Sequence, residues 1–158
     1  IKILSKIKKF PWSILRLFST YGAGHKPNTY QGIVNVMLTQ IIRSRKIIVK
    51  GSLSRERDLI YCKDVSRAIA DVLYSKKSLY KTINIGTATR VTINEIIKNI
   101  IEVLGYSKNN YDIIVKKDTQ GDPMYSIADI SLAKKLINFK PKFSLKAGLI
   151  DTIKNYNI

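Results

Sequence analysis

The segment from Thr82 to Gly105, "TINIGTATRVTINEIIKNIIEVLG", leaves a folding chain few options. "TINIG" at 82–86 is a short apolar run closed by glycine, the pattern of a buried strand. Downstream, Thr92 and Glu95 have the spacing of a capping box, in which the threonine hydroxyl takes the Glu95 N–H and the glutamate reaches back. Ile93, Ile96, Ile97, Ile100, Ile101 and Leu104 then share one face of a helix that Gly105 stops. A buried strand and a helix with one long apolar stripe must each be covered by another layer, so an α/β layer structure is predicted.

The rest of the chain repeats that alternation. Trp12 to Phe18 predicts a strand running into "STYGAG", and Ile33, Val36, Met37 and Ile41 predict a helix over Gly32 to Ile42. Lys46 to Lys50 predicts a strand that Gly51 ends, and Leu59 to Cys62 a buried apolar anchor with Cys62 inside it. Asp64 is expected as the N-cap of a helix whose Val65, Ala68, Ile69, Val72 and Leu73 lie on one face. "YDIIVKK" reads as a strand, Asp129 as the cap of "ISLAKKL", and Ser144 as the cap of "LKAGLIDTIKNY". No repeat, linker or composition break divides the 158 residues, and a 45% hydrophobic content suits one domain with its own core.

Charge and rare residues then limit the chemistry. A formal charge of +17 makes an anionic partner the first expectation. The lysines, however, are scattered singly or in pairs on polar helix faces, and neither an RNA-recognition sheet motif nor a zinc finger is present, so nucleic acid is not the expected partner. One cysteine and one histidine exclude an internal disulfide and a Cys/His metal set. They fit a reducing, cytoplasmic setting. His25 reads as a loop residue and Cys62 as a buried structural thiol, with only Asp58 or Asp64 to orient a catalytic histidine. No apolar stretch approaches the ~18 residues of a membrane span. Neither G-x-G-x-x-G nor G-x-x-x-x-G-K-[ST] occurs, and "YGAGH" lacks the helix that should open after its glycines.

"GSLSRERDLIYCKD", residues 51–64, is the remaining signal. A strand that begins with Arg57 and Asp58 can hold a guanidinium fork rigid, braced by the neighbouring carboxylate, against a phosphate; a surface salt bridge explains the spacing equally well.

"ILRLFSTYGAG", "IIVKGSLSRERDLIYCKDVSRAI", "INIGTATRVTINEIIKNIIEVLG" and "GDPMYSIADISLAKKLINFKPKFSLKAGLIDTI" together resemble, in order, the C-terminal half of the extended short-chain dehydrogenases. These are the NAD-dependent nucleotide-sugar epimerases and dehydratases, and the likeness is strongest to the UDP-glucose/galactose 4-epimerases. The resemblance implies a partial Rossmann-like fold over residues 1–158: the closing strands of the parallel sheet plus the small C-terminal substrate-binding α/β region. It implies that NAD is bound mainly by an N-terminal half, through G-x-x-G-x-x-G, which also supplies a Tyr-x-x-x-Lys pair. "SKIKK" is not that pair, because Lys2 stands four residues before Lys6. No catalytic residue is therefore assigned, and the chain is expected to be the incomplete part of a 4-epimerase or 4,6-dehydratase. Its expected partners are a nucleotide-diphosphate sugar, the N-terminal half as a separate chain, and a second copy in a complete homodimeric enzyme of sugar-nucleotide and surface polysaccharide biosynthesis. The alternative is a non-catalytic basic module for anionic ligands or nucleic acid.

By the same resemblance Arg57 takes the pyrophosphate, Asp122 of "GDP" lies near the ribose, and Ile48 and Lys50 present main-chain groups to the base. Asn35 is a candidate for sugar or phosphate. Ser19 stands where the family usually has asparagine, and Thr119 where it often has a second phosphate-binding arginine, a charge that Lys116 or Lys117 would have to replace. The strands at 12–18 and 82–86 are expected to finish a sheet begun elsewhere, which leaves apolar surface and a strand edge open.

Overall fold

The computed structural model describes residues 1–156 except Thr29 and Thr119, and excludes the Lys108 side chain. The replaced clamp position at Thr119 thus lies outside the described residues. In chain order the elements are α1 (Lys2–Lys8), β1 (Ile14–Leu17), β2 (Ser19–Tyr21), α2 (Ile33–Ser44), β3 (Lys46–Lys50), β4 (Glu56–Arg57), β5 (Leu59–Tyr61) and α3 (Cys62–Tyr74). They continue with β6 (Thr82–Ile85), β7 (Val91–Thr92), α4 (Ile93–Leu104), β8 (Asp112–Lys116), β9 (Tyr125–Ser126), α5 (Ser131–Ile137) and α6 (Leu145–Lys154).

Three two-stranded sheets are parallel pairs: β1 with β6, β2 with β5, and β3 with β8. Parallel strands need long crossovers, and here helices and other strands supply them. The short β4 is different. It lies between antiparallel β7 and parallel β9, held from both sides. This is the α/β arrangement that the alternation predicts and the partial Rossmann-like fold that the resemblance implies.

Helix α4 shows how local chemistry produces an element. Thr92 Oγ1 accepts the Glu95 N–H at 3.1 Å while Glu95 Oε2 accepts the Thr92 N–H at 2.7 Å, and Gly105 closes the helix at φ 68°. Ile93, Ile96, Ile97, Ile100 and Ile101 are buried against α2, β3 and Leu149 of α6. Each such side chain contributes about 1.5–3 kcal/mol on leaving water. A second cluster joins Ile60, Ile83 and Ile85 to Val65, Ala68 and Val72 of α3 and Ala133 of α5.

Four local expectations change. The strand over 12–18 breaks at Phe18, whose N–H still reaches Ile85 at 3.0 Å before the chain turns from β6 to pair with β5. Helix α3 begins at Cys62 with Tyr61 as its cap residue, so Cys62 opens a helix rather than continuing a strand. Asp64 is not a cap but a fully buried carboxylate in the first turn. It accepts the N–H groups of Lys142 and Phe143 and a 2.5 Å contact from Arg67. Asp129 stands one residue outside α5, where it takes the Ser131 N–H at 2.9 Å.

Among the described residues, β1 and β6 pair only with each other. Leu17 beside that edge is 47% exposed, and Ile3, Leu4 and Ile7 of α1 are exposed too. The chain therefore presents the open apolar edge expected of it. No helix among the described residues is long and apolar enough to cross a membrane.

Candidate functional site

A cavity of about 640 Å³ opens between α2 and the turn that joins β3 to β4. One wall is apolar, from Ile33, Val36 and Met37 of α2 with Ile93 of α4. Lys50, Arg55, Arg57 and Lys116 give the opposite side four cations, against the single carboxylate of Asp122. An apolar slot beside concentrated positive charge suits a ligand with a flat organic part and an anionic part.

Backbone geometry places the arginines. Gly51 ends β3 at φ 86°, and a Cβ there would lie 2.8 Å from the Arg55 guanidinium carbon. Only glycine lets the chain turn and Arg55 tuck beneath it. The Glu56 N–H then bonds Met124 O at 2.8 Å and the Asp58 N–H bonds Ser126 O at 2.9 Å, pinning β4 on both sides of Arg57. The Arg57 side chain is 11% exposed. Its Nη1 donates to Glu56 O at 2.8 Å and Pro123 O at 2.9 Å, and its Nη2 to Asp122 Oδ1 at 2.5 Å. Arg55 Nη1 donates to Asp122 Oδ2 and, at 3.1 Å, to Asp118, while its Nη2 donates to the Lys50 carbonyl.

The structure brings four of the six sequence-selected residues to this cavity, namely Ile48, Lys50, Arg57 and Asp122. Asp122 braces the arginines, a role the sequence reading gave to Asp58. Asp58 instead turns to the core, fully buried, and accepts Thr87 N–H at 2.7 Å, Thr87 Oγ1 at 2.6 Å, Ala88 N–H at 2.9 Å and Ala128 N–H at 3.1 Å. On β3, the Ile48 N–H donates to Gln40 Oε1 at 2.9 Å and the Lys50 carbonyl is held by Arg55, so part of the main-chain edge is already engaged. Lys116 lines the cavity in register with Lys50, whereas Lys117 is not among its lining residues.

Asn35 and Ser19 lie elsewhere. Asn35 is buried, gives its amide N–H to Lys26 O at 3.0 Å and receives the Tyr156 hydroxyl at 2.5 Å, which ties α2 to the end of α6. Ser19 sits on β2 in register with Leu59 and does not line the cavity. Arg55 is the residue that the sequence reading missed. A period-two signal was available, because residues 55 and 57 share one side of an extended segment.

His25 and Cys62 line a separate depression of about 330 Å³ with Tyr21 and Gly22. Among the described residues no hydrogen bond joins them. Asp58 and Asp64, the conceivable orienters, are committed to buried N–H donors. Tyr21 and Tyr61 have phenols pushed above their ordinary range, chiefly by burial, then by the Asp64 charge for Tyr21 and the Asp151 hydrogen bond for Tyr61. Both are therefore held protonated and packed, poor proton acceptors. Nor do the residues present fit a dinucleotide. "YGAG" at 21–24 follows β2, yet the next helix begins only at Ile33, so among the described residues no strand-turn-helix cradle forms there for a pyrophosphate.

Residues 3–86 match the model of the NAD dependent epimerase/dehydratase family. Over 143 residues the chain is 29% identical to a Bacillus subtilis protein described as an uncharacterized UDP-glucose epimerase, covering 90% of this chain and 43% of that protein. A UDP-glucose 4-epimerase from Thermotoga maritima, solved with UDP-glucose, superposes with TM-score 0.88 at 27% identity over 98% of this chain and 48% of that one. A UDP-glucuronic acid 4-epimerase from Bacillus cereus, solved with UDP-glucuronic acid and NAD, gives TM-score 0.87 at 27% identity with the same coverage. The chain spans less than half the length of these relatives.

Proposed function

Because this chain belongs to the NAD dependent epimerase/dehydratase family, we propose that it grips the nucleoside diphosphate of a sugar nucleotide, as the substrate-holding portion of an NAD-dependent 4-epimerase or 4,6-dehydratase. The observation that carries the reading is the cavity itself, in which apolar residues of α2 face the cationic group of Arg55, Arg57, Lys50 and Lys116. In this division of labour the slot of Ile33, Val36 and Met37 covers the base, the β3 edge at Ile48 and Lys50 meets its polar rim, and Arg57 takes the diphosphate. Such a charge-assisted contact contributes about 1.5–3 kcal/mol where water is excluded. UDP-sugars bound by the Thermotoga and Bacillus cereus enzymes support the ligand class.

NAD in this family accepts and returns a hydride at the sugar. The residues here supply binding and orientation, and build no cradle for that cofactor. The complete activity, acting in sugar-nucleotide and surface polysaccharide biosynthesis, then needs the NAD-binding portion of the enzyme, which the open β1 edge and the exposed apolar side of α1 are suited to meet. Homodimerisation of the complete enzyme belongs to the same proposal.

Isothermal titration of the chain with UDP-glucose and with UDP tests the reading. Binding of both, with little response to a random oligonucleotide, is expected. No heat with either nucleotide, together with oligonucleotide binding that falls steeply with salt, would replace it with a basic module for nucleic acid.

A further inference from the structure

The Asp122 carboxylate is divided between two arginines: Oδ1 receives Arg57 Nη2 at 2.5 Å, and Oδ2 receives Arg55 Nη1. The other terminal nitrogen of Arg57 is spent on the Glu56 and Pro123 carbonyls. A phosphate that approaches Arg57 therefore meets a fork with one terminal nitrogen spent on carbonyls and the other shared with a carboxylate. With Arg57 as its sole cation, Asp122 would compete with the phosphate, and once displaced it would stand unpaired beside a second anion. Both costs are large where side chains are mostly buried.

Arg55 removes both. Its side chain is 5% exposed, nested against Gly51 and anchored by the Lys50 carbonyl and Asp118, so its grip on Asp122 does not depend on Arg57. Arg55 Nε is buried with no hydrogen-bond partner among the described residues. Two guanidinium groups share the Asp122 carboxylate, Asp118 also pairs with Arg55, and Lys50 and Lys116 leave the cavity with surplus positive charge that is compensated best when an anion enters.

We propose that Arg55 is a positioning residue for the diphosphate: it retains Asp122 and so lets Arg57 exchange that carboxylate for a ligand phosphate. The inference rests on the reading of Arg57 given above and adds a second arginine to it. Arg55 itself needs no contact with the ligand.

The test is calorimetric titration of the 158-residue chain with UDP, comparing the parent with Arg55→Met, Arg55→Lys, Asp122→Asn and the Arg55→Met/Asp122→Asn pair. Arg55→Met leaves Asp122 wholly on Arg57 and is expected to weaken UDP by about tenfold or more. The added Asp122→Asn frees Arg57 and restores affinity to within about threefold of the parent, a coupling that double-mutant comparison isolates. Arg55→Lys, which keeps a cation for Asp122, falls between. A residue that merely supported the fold would show no such rescue. Arg55→Met binding as tightly as the parent overturns the proposal, as does weakening that Asp122→Asn leaves in place. Should Arg55→Met fail to fold, Asp122→Asn alone decides: affinity at or above the parent's supports partner exchange, and a loss of about tenfold refutes it. A parent that does not bind UDP refutes the reading of Arg57, and this inference falls with it.

Discussion

Replacing Asp58 by asparagine separates holding the fold from holding the ligand. The carboxylate is fully buried, with Thr87 N–H and Oγ1 on Oδ1 and the Ala88 and Ala128 N–H groups on Oδ2. All four partners donate, so an amide can satisfy only one pair and must turn its NH2 against the other. Hydrogen bonds to a charged group contribute about 1.5–3 kcal/mol each, and an orphaned buried donor costs about 1–3 kcal/mol. Ala128 is buried and has no water to turn to, so the amide oxygen stays on the Ala88 and Ala128 N–H groups and the two charge-assisted bonds to half-buried Thr87 are lost. The net loss is therefore about 3–5 kcal/mol, a large part of the ~5–15 kcal/mol that holds a domain together. Urea denaturation without ligand should show a lower midpoint with unchanged slope. UDP affinity of the folded fraction should stay at the parental value, because Asp122, Glu56 and Pro123 hold Arg57. A parental midpoint would refute the reasoning, and a parental midpoint with lost UDP binding would return Asp58 to the role of brace.

Three further changes test other parts of the structure. Arg57→Ala should weaken UDP roughly 10- to 100-fold by calorimetry, since about 1.5–3 kcal/mol leaves with the fork, and should leave the melting temperature close to the parent's because Asp122 keeps Arg55. Gly86→Ala should cost about 1–3 kcal/mol in denaturant, because the new methyl meets Ala128 Cβ and lies 2.7 Å from Asp58 Oδ2. Thr92→Ala should cost about 1 kcal/mol through the lost cap, and it should also alter the response to acid. The Thr92 N–H, then its hydroxyl, hold the Glu95 carboxyl below its ordinary value. The folded value being the lower one, this stabilisation is complete above the ordinary glutamate range and is lost as pH falls through the folded value. Thermal melts across that range should show a shallower acid limb in Thr92→Ala, and an unchanged limb would rule out the hydroxyl's share of it.

Elements set by nearest neighbours were legible in the sequence. The α4 capping box, β3 at Lys46–Lys50 and the Ser144 cap on α6 each follow from residues within a few positions, and each stands where the spacing places it. Asp58 and Asp64 were misjudged for one shared reason. A carboxylate beside an arginine or before an apolar run satisfies local rules for a brace or a cap, but its partner is chosen by the fold. Asp64 takes the N–H groups of Lys142 and Phe143, Asp58 reaches Ala128, and Asp122 reaches back to Arg55 and Arg57. Local competition cannot outweigh several buried N–H donors that only one carboxylate can satisfy. The fold likewise decides where Asn35 goes: its helix lines the cavity while its own side chain is held by Tyr156 and Lys26.

The Arg57–Asp58 dipeptide then has a physical reason beyond charge pairing. Successive side chains of an extended segment point to opposite sides. Arg57 accordingly enters the cavity while Asp58 enters the core, and the Glu56 and Asp58 N–H groups that flank Arg57 are bonded to Met124 and Ser126 of the neighbouring β9 segment. Exchanging the two residues would keep every charge and invert both environments, burying a guanidinium against the Thr87, Ala88 and Ala128 donors and turning a carboxylate toward an incoming phosphate. Each arrangement sets like charges or like donors face to face. The order of the pair, rather than its composition, is what lets one short extended segment serve the core and the site together.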